Sequence, residues 1–257
     1  MPASLTLPMS LLFGFLLVLA RVGGALVFVP LPGASGVLAP ARVALAVGFT
    51  MALVSRWPSP AAPPAGLGVL LCWLAAEAAL GLAIGVAVAI VLEAFTLAAQ
   101  VMGLQAGYAY ASTIDPNTEA DAGILLVFSQ LMAGVLFFTL GLDRQVLRLF
   151  ADTLERIPPG QFAPGAANAA ALVRLGTNLF TFGVRLALPV VGLLVLLDVA
   201  LALLGRLHQQ LQLLSLAFPI KMLTALLVLG WIAPLMPRLM LQLAGVVWNA
   251  LPRVLGG

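Results

Sequence analysis

The apolar stretches of this chain do not have the lengths that a bilayer asks for. They run over residues 5–20, 43–54, 67–92, 94–114, 123–142, 186–205, 213–235 and 239–251. A helix that crosses the hydrocarbon layer needs about 17–25 apolar residues, so 43–54 and 239–251 fall short, and Glu77 interrupts 67–92. Helices partly shielded by other proteins would satisfy such segments. An ordinary multi-span protein with a few re-entrant or interfacial helices would satisfy them too, and both readings stay open here. The solvent itself is settled by composition: 63% hydrophobic and 8% charged residues, against about 45–50% and about 25% in soluble domains. With 257 residues, one compact all-α integral membrane domain is the natural reading. The formal net charge of +3 is small and scattered, which argues against nucleic acid as a partner. No Lys or Arg precedes Arg21, and apolar sequence continues to Val29, unlike a cleaved signal with a basic start; the first helix is expected to be retained.

Proline and glycine punctuate the rest. Pro30, Pro32 and Pro40, with Gly33 and Gly36 between them, make a turning connection, and Pro58, Pro60, Pro63 and Pro64 make a stiff linker. Pro189, Pro219 and Pro234 lie inside apolar runs, where each removes a backbone donor and kinks or ends a helix. Broken helices are therefore expected in the C-terminal third. Residues 143–157 read differently. Val146, Leu149, Phe150, Leu154 and Ile157 share one stripe, and Arg144, Arg148, Asp152 and Arg156 recur every four residues on another. This predicts an amphipathic surface helix stopped by Pro158-Pro159-Gly160, with too mixed a charge for an anionic-lipid anchor.

Residues 103–117 are too polar and small to face lipid and too apolar for an ordinary aqueous loop: Gly103-Leu104-Gln105-Ala106-Gly107-Tyr108-Ala109-Tyr110-Ala111-Ser112-Thr113-Ile114-Asp115-Pro116-Asn117. Non-helical backbone at membrane depth is tolerated where protein covers it or where it borders a water-filled cavity. A segment that lines or blocks a passage is one reading, and a turn capping a helix hairpin is the other. Glu77, Glu93, Asp198 and Lys221 are charged positions within or beside apolar runs, where an ionised group costs about 2.5–3.5 kcal/mol on insertion scales. Glu77 shares a helix face with Gly81 and Gly85, a small-residue pair that lets helices approach closely; a buried polar clasp and a proton relay both fit it. Asp198 and Lys221 flank the polar stretch 205–210, which suggests a helix hairpin with its tip near 208–212. A zinc site or a Cys-His nucleophile pair cannot be assembled in the usual form from the single His208 and single Cys72. Gly33-Ala34-Ser35-Gly36 lacks the lysine of a phosphate loop.

Several motifs in order carry a resemblance. Gly103-Leu104-Gln105-Ala106-Gly107 leads through Tyr110-Ala111 to Asp115-Pro116. Asp152-Thr153-Leu154 with Ile157-Pro158 follows, then Leu188-Pro189, Asp198-Val199-Ala200-Leu201 and Arg206, and last Phe218-Pro219-Ile220-Lys221. In order and spacing, over nearly the whole chain, these resemble the FliR family of flagellar biosynthesis proteins and its injectisome counterpart. The resemblance implies a subunit of the type III protein export gate in the bacterial inner membrane, within the basal body. Its expected partners are FliP-like and FliQ-like gate subunits, an FlhB-like switch subunit, membrane lipid and secreted unfolded polypeptide. It also implies a FliP-like part over residues 1–182, a FliQ-like hairpin over 183–257, no catalytic residue and no cofactor.

Residues 104–121 would be the pore plug, with Gly103, Leu104, Gln105, Gly107, Tyr108, Tyr110, Thr113, Asp115 and Pro116 forming it. Glu77, Asp198 and Lys221 would make buried polar contacts, and Arg206, His208, Gln210 and Gln212 the hairpin tip. This chain departs from the family pattern in two places. Gly205-Arg206-Leu207-His208-Gln209-Gln210 followed by Gln212 stands where relatives tend to show Asn-Arg-x-x-Pro-Gln and another Asn, and Thr113 stands where some place a bulky apolar residue. The contrasting function is a self-contained small-molecule or ion transporter, with a midplane site near Asp198 or Lys221 at helices broken by Pro189 and Pro219. Such transporters usually carry an internal repeat, and none stands out between the two halves.

Overall fold

The computed structural model describes residues 9–28, 39–54, 57, 64–108, 124–207 and 213–256. Every regular element among the described residues is helical: α1 (Met9–Phe28), α2 (Ala39–Ala52), α3 (Leu67–Ala106), α4 (Ile124–Thr139), α5 (Leu142–Arg156), α6 (Ala166–Leu207), α7 (Leu213–Ile232), a 3₁₀ turn (Ala233–Leu235) and α8 (Met236–Leu255). Among the described residues four stretches are long and apolar enough to cross a membrane: Met9–Phe28, Leu67–Ala106, Ala166–Arg206 and Ala217–Leu255. A fifth is reached if α4 and α5, which turn at Gly141, count together.

The chain divides into two compact units. The first comprises Met1–Ala89, Gly141–Leu175 and Val246–Gly257; the second comprises Ile90–Leu140 and Gly176–Gly245. In the first, α1 lies against α3 with almost no side chain between the backbones. A Cβ added to Gly24 would collide with the Ala78 carbonyl, one on Gly81 with the Arg21 carbonyl, and one on Gly85 with the Ala25 carbonyl. Small residues allow this approach, and dispersion between the two backbones rewards it where lipid offers no hydrophobic drive. Leu17, Val18, Leu80, Ile84 and Leu154 are fully or almost fully buried here. In the second unit Phe95, Met102, Leu125, Val190, Leu194, Ala225 and Met240 form the core, and Ser129 donates its hydroxyl hydrogen to the Phe95 carbonyl at 2.9 Å.

α5 is the amphipathic helix that its stripe predicts. Leu142, Phe150, Thr153 and Leu154 are buried, while Arg144, Arg148, Asp152 and Arg156 are exposed. Elsewhere the helices differ from the apolar runs. Residues 67–92 and 94–114 are not two segments: α3 is one helix of 40 residues. Glu93, at the division, is a good helix former and points to the surface. α6 has 42 residues rather than the span of 186–205, because the mildly polar stretch before it continues the same helix. α8 has 20 residues rather than the run 239–251, since its exposed stripe carries Arg238, Gln242, Asn249 and Arg253. The expectation of broken helices holds only at Pro234, in the 3₁₀ turn. Pro189 and Pro219 lie inside α6 and α7, which continue through them. One lost backbone bond is tolerated where long helical flanks and packed neighbours hold the rest.

Within α6, residues 186–205 carry a single charge, Asp198, and are bracketed by Arg185 and Arg206. At about 1.5 Å per residue that stretch is about 30 Å, the thickness of the hydrocarbon layer.

Candidate functional site

α3 stops at a defined cap. Gly107, with φ +87°, donates its N–H to the Leu104 carbonyl at 3.2 Å, and Tyr108 donates to the Gly103 carbonyl at 3.1 Å. This pair of bonds is a Schellman motif, in which the residue after the helix takes a left-handed conformation. Gly103, Leu104 and Gln105 are therefore the last turn of α3, a correction to the reading of 103–106 as non-helical: the left-handed conformation needed to end the helix first occurs at Gly107. Leu104 is 70% exposed. Burial pushes the Tyr108 phenol above its ordinary value of 10.0, so it stays protonated at neutral pH. Tyr110, Thr113, Asp115 and Pro116 lie outside the described residues.

The end of α3 is fastened to α6 and α7. Gln105 donates from Nε2 to Asp198 Oδ2 at 3.0 Å. Lys221 Nζ bonds the same oxygen at 3.0 Å and lies 2.9 Å from Asp198 Oδ1. Asp198 is thus held by two donors from two helices, and pairing with Lys221 offsets the cost of a carboxylate within an apolar stretch. The Lys221 side chain is 14% exposed and that of Asp198 41%. Phe218, three residues before Lys221 and so on the same face of α7, lies beside Gly107; a Cβ there would come within 2.8 Å of its ring. Gly107 thus has two separate reasons to be glycine. Arg206 is exposed in the last turn of α6, and His208, Gln210 and Gln212 lie outside the described residues.

A second polar cluster lies in the other unit. Arg21 and Glu77 are both fully buried. Arg21 Nε donates to Glu77 Oε2 at 2.6 Å. Nη1 donates to the Thr153 carbonyl at 3.0 Å and Nη2 to the Ile157 carbonyl at 2.9 Å. The other carboxylate oxygen, Oε1, accepts the Gly160 N–H at 2.8 Å, and the Trp73 ring, one turn from Glu77, covers the Gly160 backbone. The guanidinium thus gives a second donor to the Thr153 carbonyl, which also accepts the Ile157 N–H at 3.0 Å, and a donor to the Ile157 carbonyl just past the end of α5, and its charge suits the negative end of that helix. Sequence reasoning found Glu77 but not Arg21. The signal was present, since Arg21 is the sole charged residue of α1 and a lone charge in an apolar helix calls for an opposite partner. The bond from Gln105 to Asp198 had no comparable signal.

Both clusters join charge to charge across helices, and among the described residues no group of three or more His, Cys, Asp or Glu side chains could hold a metal ion. An all-helical chain with long apolar spans, glycine-mediated helix contact and internally paired charges defines an integral membrane protein. Residues 12–246 match the bacterial export proteins, family 1, and the chain belongs to that family. It is similar to the flagellar biosynthetic protein FliR of Escherichia coli (strain K12), 27% identical over 215 residues that cover 83% of this chain and 82% of that one. FliR of Pectobacterium carotovorum is 29% identical over 184 residues, covering 71% and 70%. FliR of Caulobacter vibrioides is 26% identical over 219 residues, covering 83% and 86%.

Proposed function

We propose that this protein is a pore-forming subunit of a type III export gate in the inner membrane of the basal body, passing unfolded polypeptide, with residues 104–121 as the plug. The observation that carries this reading is the fastening of Gln105 and Gly107, at the root of a segment of small residues and two tyrosines, to Asp198, Lys221 and Phe218. A plug needs a firm root and a slim, displaceable body; Ala109 and Ala111 keep the body slim, and Tyr108 and Tyr110 supply sealing bulk. Family membership supports the same reading. Its partners are FliP-like and FliQ-like subunits in a closed helical assembly beside an FlhB-like switch subunit, with a FliP-like part over 1–182 and a FliQ-like hairpin over 183–257.

The length of α3 and α6 supports protein neighbours. At about 1.5 Å per residue each is about 60 Å long, about twice the hydrocarbon thickness. The transporter reading loses its premise, because α6 and α7 run unbroken through Pro189 and Pro219 and expose no unwound backbone there. Deleting residues 109–114 tests the plug: the complex with its gate partners should assemble and conduct ions in a planar bilayer. Normal assembly with wild-type conductance would make the segment a mere connection.

A further inference from the structure

Three carboxylates stand on the apolar helices α3 and α6, and two of them hold a cation from another helix. Glu77 pairs with Arg21, and Asp198 with Lys221. Glu93 is the third. It is exposed on α3, and among the described residues it has no hydrogen bond or ion pair. An ionised carboxylate in an apolar helix calls for an opposite partner.

Glu93 does not stand alone on its face. Thr96, Gln100 and Gly103 follow it at intervals of three, four and three residues, while Phe95, Ala98, Ala99 and Met102 on the opposite side are buried. That alternation is the interval at which one helix meets another along a seam. Gln100 is exposed, Thr96 and Gly103 are partly so, and nothing lies within 4 Å of where a Gly103 Cβ would stand. Small residues at two of the four positions let a second helix come close. Leu104, beside Gly103 on the same face, is 70% exposed, apolar surface that a helix would cover and a water-filled wall would not present. Lipid tails offer Glu93 and Gln100 nothing to bond. A second copy related by a two-fold axis would set one Glu93 against the other.

We propose that this face of α3 receives a helix of a neighbouring gate subunit, and that the helix sets a lysine or arginine against Glu93, with Gln100 hydrogen-bonded to it two turns further on. Glu93 is thereby paired as Glu77 and Asp198 are, across a subunit boundary instead of within the fold. A polar residue in an apolar seam fixes register, so Glu93 decides which neighbour docks and at what height. The inference rests on the gate reading for the identity of the neighbour.

The test uses the chain co-expressed with its gate partners and a benzophenone amino acid in place of Gln100. Irradiation should join it to a gate subunit, at a helix that carries a Lys or Arg within about three turns of the adduct. Glu93→Lys should cut both the adduct and the co-purified subunit by at least about tenfold, since like charges facing across an interface repel. Glu93→Gln, which keeps the shape and a hydrogen-bonding group, should retain more of both. Replacing the partner's cation by Glu should restore the Glu93→Lys complex. An adduct with secreted polypeptide would make the face a wall of the pore and overturn the proposal. An adduct between differently tagged copies of this chain, one with no Lys or Arg nearby, or no protein adduct at all would overturn it too, as would Glu93→Lys assembly within about twofold of the parent. If the Glu93→Lys chain does not accumulate, the adduct in the parent sequence and its mapped cation decide alone. Conductance judges the plug separately: a 109–114 deletion that fails to conduct sinks the plug while the adduct still decides this contact.

Discussion

At the scale of single residues, the most constrained position is Glu77. Each of its oxygens has one donor, Arg21 on one side and the Gly160 N–H on the other, and both charged residues are fully buried. Glu77→Gln keeps one acceptor oxygen and turns an amide towards the other donor, whereas Glu77→Leu leaves both donors unpaired. The glutamine variant should therefore melt above the leucine variant in detergent-purified complex, and equal losses of stability would sink the clasp. Arg21→Leu leaves a buried carboxylate without its cation, a loss of about 3–5 kcal/mol. The Arg21→Leu/Glu77→Leu double variant should cost less than the sum of the singles, because no lone charge remains. Gly81→Ala meets the Arg21 carbonyl, backbone that cannot step aside, and should cost about 1–3 kcal/mol by overpacking; Gly14→Ala, with open space around it, should not. The Glu77 face was legible because three small or acidic residues recur every four positions. The bond to Arg21 was harder to read because a pairing 56 residues apart leaves no local periodicity.

At the scale of elements, helix existence was easier to read than helix extent. Apolar runs were cut at charges and at prolines, yet α3 passes Glu93 and α6 passes Pro189: a side-chain charge does not interrupt backbone hydrogen bonds, and one proline interrupts only one. What ends α3 is a backbone conformation, the left-handed Gly107, and a glycine among five within reach of the helix end (Gly81, Gly85, Gly103, Gly107, Gly123) does not announce itself. This yields a paired test. Gly107→Ala forces a Cβ into a left-handed conformation and against the Phe218 ring, costing about 1–2 kcal/mol for the conformation alone. Gly103→Ala sits in regular helix with nothing within 4 Å of the new Cβ and should be neutral or stabilise by up to about 1 kcal/mol. Thermal melting of the two complexes checks the sign at each site; if both lose stability equally, the cap is not what fixes the end of α3.

For the whole molecule, the membrane class was legible from composition alone, but the division into two units was not. α3, α6 and α8 each contribute residues to both, so no linker or change of composition marks the boundary. The same long helices set the last prediction. Large apolar side chains along α6 and α7 are exposed, among them Val173, Phe180 and Val184 of α6, outside its 186–205 stretch, and Leu223, Leu227 and Trp231 of α7, while α3 and α6 each reach about 60 Å at about 1.5 Å per residue. A bilayer of about 30 Å covers half of such a helix; apolar surface beyond it must meet water or protein, and water is costly for a contiguous patch. The chain purified alone in detergent should therefore elute as polydisperse material, and co-expression with FliP-like and FliQ-like subunits should convert it to one sharp species with a higher melting temperature. A monodisperse isolated chain that melts at the temperature of the co-expressed sample would count against an obligate assembly. In that case lipid, rather than neighbouring subunits, would have to cover the exposed faces of α6 and α7.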